Sequence, residues 1–84
     1  DASGKLVGTG ERYSLAAEGR VLLRVHDLTG RVVRTLADNV MRPGRYSLNW
    51  SGTDDRGREL ARGVYFCRFS AGDFRATEKL VLQR

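Results

Sequence analysis

The sequence is built from short segments in which apolar and polar residues alternate, and a turn that contains glycine closes each one. In the clearest segment, Val21, Leu23 and Val25 share one parity, while Arg24 and His26 share the other. Successive side chains of a β-strand point to opposite faces, so this period of two is typical of strands buried on one face. No segment shows the apolar spacing of a helix of ordinary length. The pattern predicts an all-β chain of antiparallel strands.

The same alternation supplies the rest of a predicted core, and two segments depart from it. The further inward-facing residues are Tyr46, Trp50, Tyr65, Cys67 and Phe69. Within Arg31–Ala37 the apolar residues fit neither parity, and within Phe74–Leu82 the apolar set is interrupted by Glu78. A β-bulge shifts parity by one residue, so each of these two segments is a candidate for a bulge.

Two turns share one spacing of aspartate and glycine. "HDLTGR" places Gly30 three residues after Asp27, and "TDDRGR" places Gly57 three residues after Asp54. Aspartate at the first position of a turn accepts a backbone N–H, and glycine at the last takes a positive φ without steric cost. The spacing predicts type I turns completed by a glycine bulge, so Gly30 and Gly57 are structural.

Turn signals recur along the whole chain, with Pro43–Gly44 and Gly72 marking two more. Short strands at a turn spacing of about 8–12 residues predict a small β-sandwich of about seven strands. Eighty-four residues have room for one core, so we predict a single domain over residues 1–84, with 1–9 as a linker or first edge strand. The lone cysteine, Cys67, cannot form an internal disulfide and is interpreted as a small buried hydrophobe.

The adjacent acids Asp54 and Asp55 raise the question of a metal or catalytic site. A calcium loop places its oxygen ligands at alternating positions, and catalytic carboxylates usually face each other from different segments. We therefore interpret both residues as shaping the turn and keeping it soluble. His26 has no second ligand at metal spacing, and no serine or cysteine has a recognisable base partner. The sequence predicts no enzyme activity, no metal and no cofactor.

The chain is basic, with 15 Lys and Arg against 10 Asp and Glu, and all but two of the cations are arginine. Guanidinium groups bind planar anions in a bidentate manner, but here the basic residues are interspersed with acids, as on a mixed solvated surface. Weak binding to an anionic surface stays open. No aromatic cluster is interleaved with the arginines, so nucleic acid is not a predicted partner. No apolar stretch is long enough to be a transmembrane segment.

Trp50 ends an alternating strand and is interpreted as a core aromatic that packs between two sheets. The alternative is a carbohydrate platform in a groove, although such platforms usually use several exposed aromatics. Tyr46, Tyr65 and Phe69 are assigned to the core on the same grounds.

The stretches "VHDLTGRVVRTL", "LNWSGTDDRGRELARGVYF" and "FRATEKLVLQR" carry a family likeness that spans residues 13–84. Together they resemble the immunoglobulin-like domain of the flagellar hook-capping family, and equally the C-terminal sorting domains of bacterial proteins secreted by the type IX route. The resemblance implies an immunoglobulin-like antiparallel β-sandwich. The sorting domains usually begin with a Pro-Asn-Pro stretch, which "DASGKLVGTGER" lacks.

The resemblance implies one of two roles. A sorting domain would be recognised by export machinery and would hold an upstream catalytic domain at the cell surface, so we expect a secreted or cell-surface bacterial protein. A hook-capping domain would be a structural spacer in a scaffold. A third hypothesis is an accessory module that binds a cell-surface polysaccharide.

The end of the chain bears on the sorting hypothesis. Phe74–Leu82 is predicted to be a core strand, with Lys79 on its outward parity and Arg84 just beyond it. A sorting module is expected at the C-terminus of its protein. A basic end beside an ordered strand is a feature that an export receptor could recognise there. The alternative is that Lys79 and Arg84 only solubilise an edge strand.

Overall fold

The computed structural model describes residues 3–7 and 10–83, and this part of the chain contains strands and turns but no helix. The strands are β1 (Ser3–Val7), β2 (Gly10–Leu15), β3 (Gly19–His26), β4 (Val32–Met41), β5 (Gly44–Asn49), β6 (Gly63–Ala71) and β7 (Phe74–Leu82).

The strands form two antiparallel sheets, a three-stranded sheet in the order β1-β2-β5 and a four-stranded sheet in the order β4-β3-β6-β7. The predicted all-β, immunoglobulin-like sandwich is confirmed. In a constant-type immunoglobulin domain the fourth strand pairs with the fifth. Here β4 pairs with β3 instead, so β4 is an edge strand of the larger sheet.

The core lies between the sheets and is built from the inward parity of the strands. From Val21 on β3 and from Tyr65 on β6 the burial alternates strictly, which is the consequence of a period-two apolar pattern on a half-buried strand. The buried apolar residues are Leu15, Val21, Leu23, Val25, Val33, Trp50, Tyr65, Cys67, Phe69, Ala71, Leu80 and Leu82.

The irregular apolar pattern of β4 reflects two register shifts against β3. Leu23 pairs with Ala37 and the next residue, Arg24, pairs with Thr35, so Leu36 is an extra residue. A second shift follows between Val25 and His26. The predicted bulge in this segment is confirmed, and it turns residues of both parities inward: Val33 is 7% exposed, and Leu36 packs against the core.

The bulge proposed for β7 is wrong, because β6 and β7 pair without interruption from Gly63–Leu82 to Ala71–Phe74. Glu78 simply occupies an inward position opposite Cys67 and is half-buried. Since β7 is an edge strand, this side chain lies at the margin of the core, where it can reach water. An inward-pointing charge of this kind also discourages pairing with another sheet edge.

Candidate functional site

The turn between β3 and β4 is organised by the side chain of Asp27. One carboxylate oxygen, Oδ1, accepts hydrogen bonds from the amides of Thr29 (2.9 Å) and Arg31 (3.1 Å). The amide of Gly30 donates to the Asp27 carbonyl at 3.0 Å, and the Asp27 amide donates to the Arg31 carbonyl at 3.0 Å. Gly30 has a φ of 89°, which a β-branched residue would adopt only with strain.

The turn that contains Asp54 repeats this arrangement. Its Oδ1 accepts from the amides of Arg56 and Arg58, both at 2.9 Å, and Gly57 has a φ of 81°. The amide of Gly57 donates to the Asp54 carbonyl at 3.0 Å, and that of Asp54 to the Arg58 carbonyl at 2.9 Å. Both turns therefore follow one motif, Asp-x-x-Gly-Arg, which we call the aspartate turn.

In each aspartate turn the carboxyl pKa is lowered. The hydroxyl of Thr29, which donates to Asp27 at 2.6 Å, is the main cause of the lowered pKa of Asp27, and the amides of Arg31 and Thr29 add to it. The amide of Arg58 is the main cause of the lowered pKa of Asp54, with the Arg58 guanidinium 3.1 Å away as a further contribution. Hydrogen bonds to the ionised form favour it, so both carboxylates are engaged as turn acceptors.

Asp55 has a role that the sequence interpretation missed. Its carboxylate accepts a hydrogen bond from the amide of Thr35 (2.9 Å), and its own amide donates to the carbonyl of Val33 (3.0 Å). Nearby, Arg34 Nη1 donates to the Asp54 carbonyl at 2.8 Å. The loop between β5 and β6 thus docks on the bulged edge of β4 and occupies backbone groups that an open edge would expose. Asp55 fastens two segments of the chain rather than only shaping its own turn.

Two aromatic residues tie this loop to the core. Trp50 is 4% exposed, and its Nε1 donates to the carbonyl of Thr53 at 2.8 Å. Tyr65 packs edge-on against Trp50 with ring centroids 5.4 Å apart, and its hydroxyl donates to the carbonyl of Ala61 at 2.6 Å. Tyr65 lies at the start of the sixth strand, two residues before Cys67, which is the placement of the tyrosine corner of immunoglobulin-like sandwiches.

That placement was the signal that sequence reasoning overlooked, since Tyr65 and Cys67 were assigned only to the core. Tyr46 repeats the geometry at the start of β5, where its hydroxyl donates to the Arg42 carbonyl. Its ring is half-buried and packs at the margin of the core. Leu23, Val25 and Phe69 lie fully inside.

The residues considered for sorting lie far from the aspartate turns in the sequence. Lys79 is exposed on β7, which is an edge strand, and it lies opposite Phe66. Arg84 is outside the described residues.

The described residues contain no group of three or more His, Cys, Asp and Glu side chains arranged to hold a metal ion. His26 is engaged in the first aspartate turn, with Nδ1 3.0 Å from the Gly30 carbonyl oxygen. Across the same described ranges, no helix has the length and apolar character needed to span a membrane.

A family model decides what kind of domain this is. Residues 4–73 match the FlgD Ig-like domain, which is most of the chain and includes both aspartate turns. The chain belongs to this family. It is a family of non-enzymatic structural domains. No curated protein matches the chain significantly. Strand β7, from Phe74 to Leu82, lies beyond the residues that the FlgD Ig-like model matches.

Proposed function

We propose that this FlgD Ig-like domain is a rigid structural spacer that holds the parts of its parent protein apart. The observation that carries the proposal is the docked loop, in which Asp55, Trp50 and Tyr65 each hold backbone of the loop or of β4. In binding modules the loops usually present polar groups to a ligand. Here the side chain of Asp55 and the carbonyls of Thr53 and Ala61, all in the longest loop, are hydrogen-bonded within the domain.

Single-molecule pulling of the domain, placed between two reference domains of known unfolding force, tests this role. We expect a discrete unfolding event, and a lower unfolding force for Asp55→Leu, which removes the acceptor for the Thr35 amide. Leu28→Ala, at an exposed position in the other aspartate turn, is the matched control and should leave the force unchanged. If the unsubstituted domain extended without a force peak, the spacer role would be contradicted.

A second candidate function is sorting and export of a secreted bacterial protein, followed by attachment at the cell surface. The observation that favours it is β7, an edge strand beyond the family match whose outward residues Thr77, Lys79 and Val81 are all exposed. An unpaired strand edge is a template on which another protein can add a strand. The partners would be export machinery and an upstream catalytic domain, and the location secreted or cell-surface.

The sorting candidate is tested by fusing residues 1–84 to a periplasmic reporter in a bacterium that has the type IX machinery. The fusion should reach the surface, whereas Lys79→Ser with Arg84→Ser should retain it in the periplasm. Arg56→Ser with Arg62→Ser removes the same charge from the β5–β6 loop and should not affect export. If the intact, folded fusion remains periplasmic, sorting is rejected and the spacer role is unaffected.

A further inference from the structure

The outer face of the four-stranded sheet concentrates the basic residues that the sequence scatters. Arg24 on β3 lies directly opposite Arg68 on β6, and Arg68 lies opposite Thr77 on β7. Arg75 and Lys79 flank Thr77 on the same side of β7. All of these residues occupy the outward parity of their strands. We call the surface formed by Arg24, Arg68, Arg75 and Lys79 the arginine face.

The arginine face has little negative charge of its own. Asp38 on β4 lies at its margin, where one carboxylate oxygen is bound by Arg20 and the other is 4.0 Å from Arg24. Among the residues that the structure describes, no carboxylate forms an ion pair with Arg68, Arg75 or Lys79. Arg68, Arg75 and Lys79 are exposed, so these cations of β6 and β7 face solvent with no ion-pair partner among the described residues.

Two positively charged side chains of the arginine face repel each other, and a bound anion would relieve this repulsion. Like charges directly opposite each other on neighbouring strands destabilise a sheet, and Arg24 and Arg68 are such a pair. The Nε of Arg24 is also buried without a hydrogen-bond partner. Arg75 is held in place, with Nη1 3.2 Å from the hydroxyl of Ser70 and 3.0 Å from the carbonyl of Gly72. An anion seated between these side chains would neutralise the repulsion and meet guanidinium groups that are already positioned.

The three arginines of this face border a shallow groove of about 420 Å³, in which the hydroxyls of Ser70 and Thr77 lie among them. Guanidinium groups match planar carboxylates, and the hydroxyls can hydrogen-bond to sugar hydroxyls. A carbohydrate chain with a carboxylate on successive sugars presents its charges in a row, as the sheet presents its cations. Single-stranded nucleic acid is less suited, because the aromatic rings on the outward parity of β3, β6 and β7 are those of His26 and Phe66, and both residues are half-buried. Bases therefore have no open stacking platform.

We propose that the arginine face binds an acidic polysaccharide, whose carboxylates pair with Arg24, Arg68 and Arg75. This activity is independent of the spacer role, since it uses the outer face of the sheet and leaves the docked loop untouched. Binding should weaken as salt is added, because exposed charges are screened over roughly 8 Å at physiological ionic strength.

The test is calorimetric titration of the domain with polygalacturonate, with neutral dextran as the uncharged comparison. Arg24→Gln with Arg68→Gln should weaken binding of polygalacturonate by about tenfold or more, since two charge-assisted contacts are lost. Arg56→Gln with Arg62→Gln removes the same net charge from exposed loop positions and should change the affinity by less than about twofold. The melting temperature of the first variant should equal or exceed that of the parent, because a like-charge pair has been removed.

Three results would overturn the proposal. The parent domain could fail to bind polygalacturonate, or could bind dextran equally well. The two double variants could lose the same affinity, which would reduce the effect to net charge. A single-stranded DNA oligonucleotide of equal charge could bind as tightly as polygalacturonate, which would make the face a general polyanion surface. If the domain resists force but does not bind polygalacturonate, only the binding proposal is rejected and the spacer role stands.

Discussion

The two aspartate turns are nearly identical as local structures and differ in what surrounds them. In both, the carboxylate accepts two backbone amides, a glycine has positive φ, and an arginine follows. The first turn is a hairpin tip, and its second residue, Leu28, is 71% exposed. The second turn docks on β4, and the residue at the same motif position is Asp55.

The comparison separates the formation of a turn from its placement. The Asp-x-x-Gly-Arg motif supplies the backbone and aspartate hydrogen bonds that both turns share, so it works at an exposed tip and in a docked loop alike. Docking depends on residues outside that shared pattern, namely Trp50 before it and Asp55 at its variable second position. Substitutions at shared positions should therefore affect both turns equally, and those at differing positions should affect only one.

The largest difference between the two turns is expected when their large apolar side chains are truncated, Trp50 just before the second turn and Leu28 within the first. Trp50→Ala should destabilise the domain by about 3–5 kcal/mol, because it removes a buried aromatic together with its bond to Thr53. Small domains have little more stability than this, so the variant should be largely unfolded near room temperature. Leu28→Ala should change stability by less than about 0.5 kcal/mol. Thermal and denaturant unfolding measure both changes in stability. An unchanged melting temperature for Trp50→Ala would contradict the assignment of Trp50 to the core.

The next largest effect should be equal in the two turns. Gly57→Val and Gly30→Val should each cost about 1–3 kcal/mol, because a β-branched residue is strained at φ values of 81° and 89°. Apart from the glycine and its two neighbours in the chain, no residue has an atom within 4 Å of an added Cβ at either position, so backbone strain sets the cost. Asp54→Asn should cost less than Gly57→Val. Equilibrium unfolding of the matched pair checks this, and a markedly larger loss at Gly57 would show that docking adds to the strain.

A smaller effect should appear in one turn only. Asp55→Leu gives the second turn the residue of the first at this position, and it should cost about 1 kcal/mol through the lost bond to the Thr35 amide. Hydrogen exchange at the Thr35 amide should accelerate, while exchange within the turn at Gly57 should not. Asp55→Asn keeps an acceptor oxygen and is the conservative control. Unchanged exchange at Thr35 in Asp55→Leu would mean that the loop stays docked without this bond.

The smallest effect is a pH dependence shared by the turns. The pKa values of Asp27 and Asp54 are lowered in the folded state, so over the window below the unfolded value of about 4 the unfolded chain binds more protons. Their contribution to stability is present above that pH and is lost as the pH falls through the folded pKa values. Both side chains lie at the surface and are partly exposed, Asp27 by 27% and Asp54 by 16%, so water screens them and the effect is modest.

Melting temperatures measured between about pH 6 and pH 3 test this dependence. Asp27→Asn and Asp54→Asn should each flatten the acid-side decline by a similar amount. If one of the two variants left the acid-side decline of the melting temperature unaltered, the turns would not be electrostatically equivalent.

Much of the fold could be predicted because the signals are local. Alternation along residues 21–25 identifies a half-buried strand, since the period of side chains on a strand is two wherever the strand lies. The positions of Asp27 and Gly30, and of Asp54 and Gly57, indicate turns because their hydrogen bonds close within five residues. The sequence also identified the core aromatics Trp50, Tyr65 and Phe69 as inward-facing residues, although Tyr46 lies only at the margin.

The remaining features depend on segments that are distant in the sequence. The bulges of β4 are defined only against its partner β3, so the irregular pattern signalled a bulge without locating the extra residue at Leu36. For β7 the same reasoning failed, because an edge strand tolerates an inward charge such as Glu78 without changing register.

Alternation along the chain determined which residues form strands and which of their faces is buried. Only the tertiary structure decided that Asp55 meets Thr35, and that Arg24 lies opposite Arg68. The physical reason is the range of the interactions. Turn closure and strand periodicity involve neighbouring residues, whereas register, docking and cross-strand charge pairing arise when segments from different parts of the chain are brought side by side by the burial of a common core.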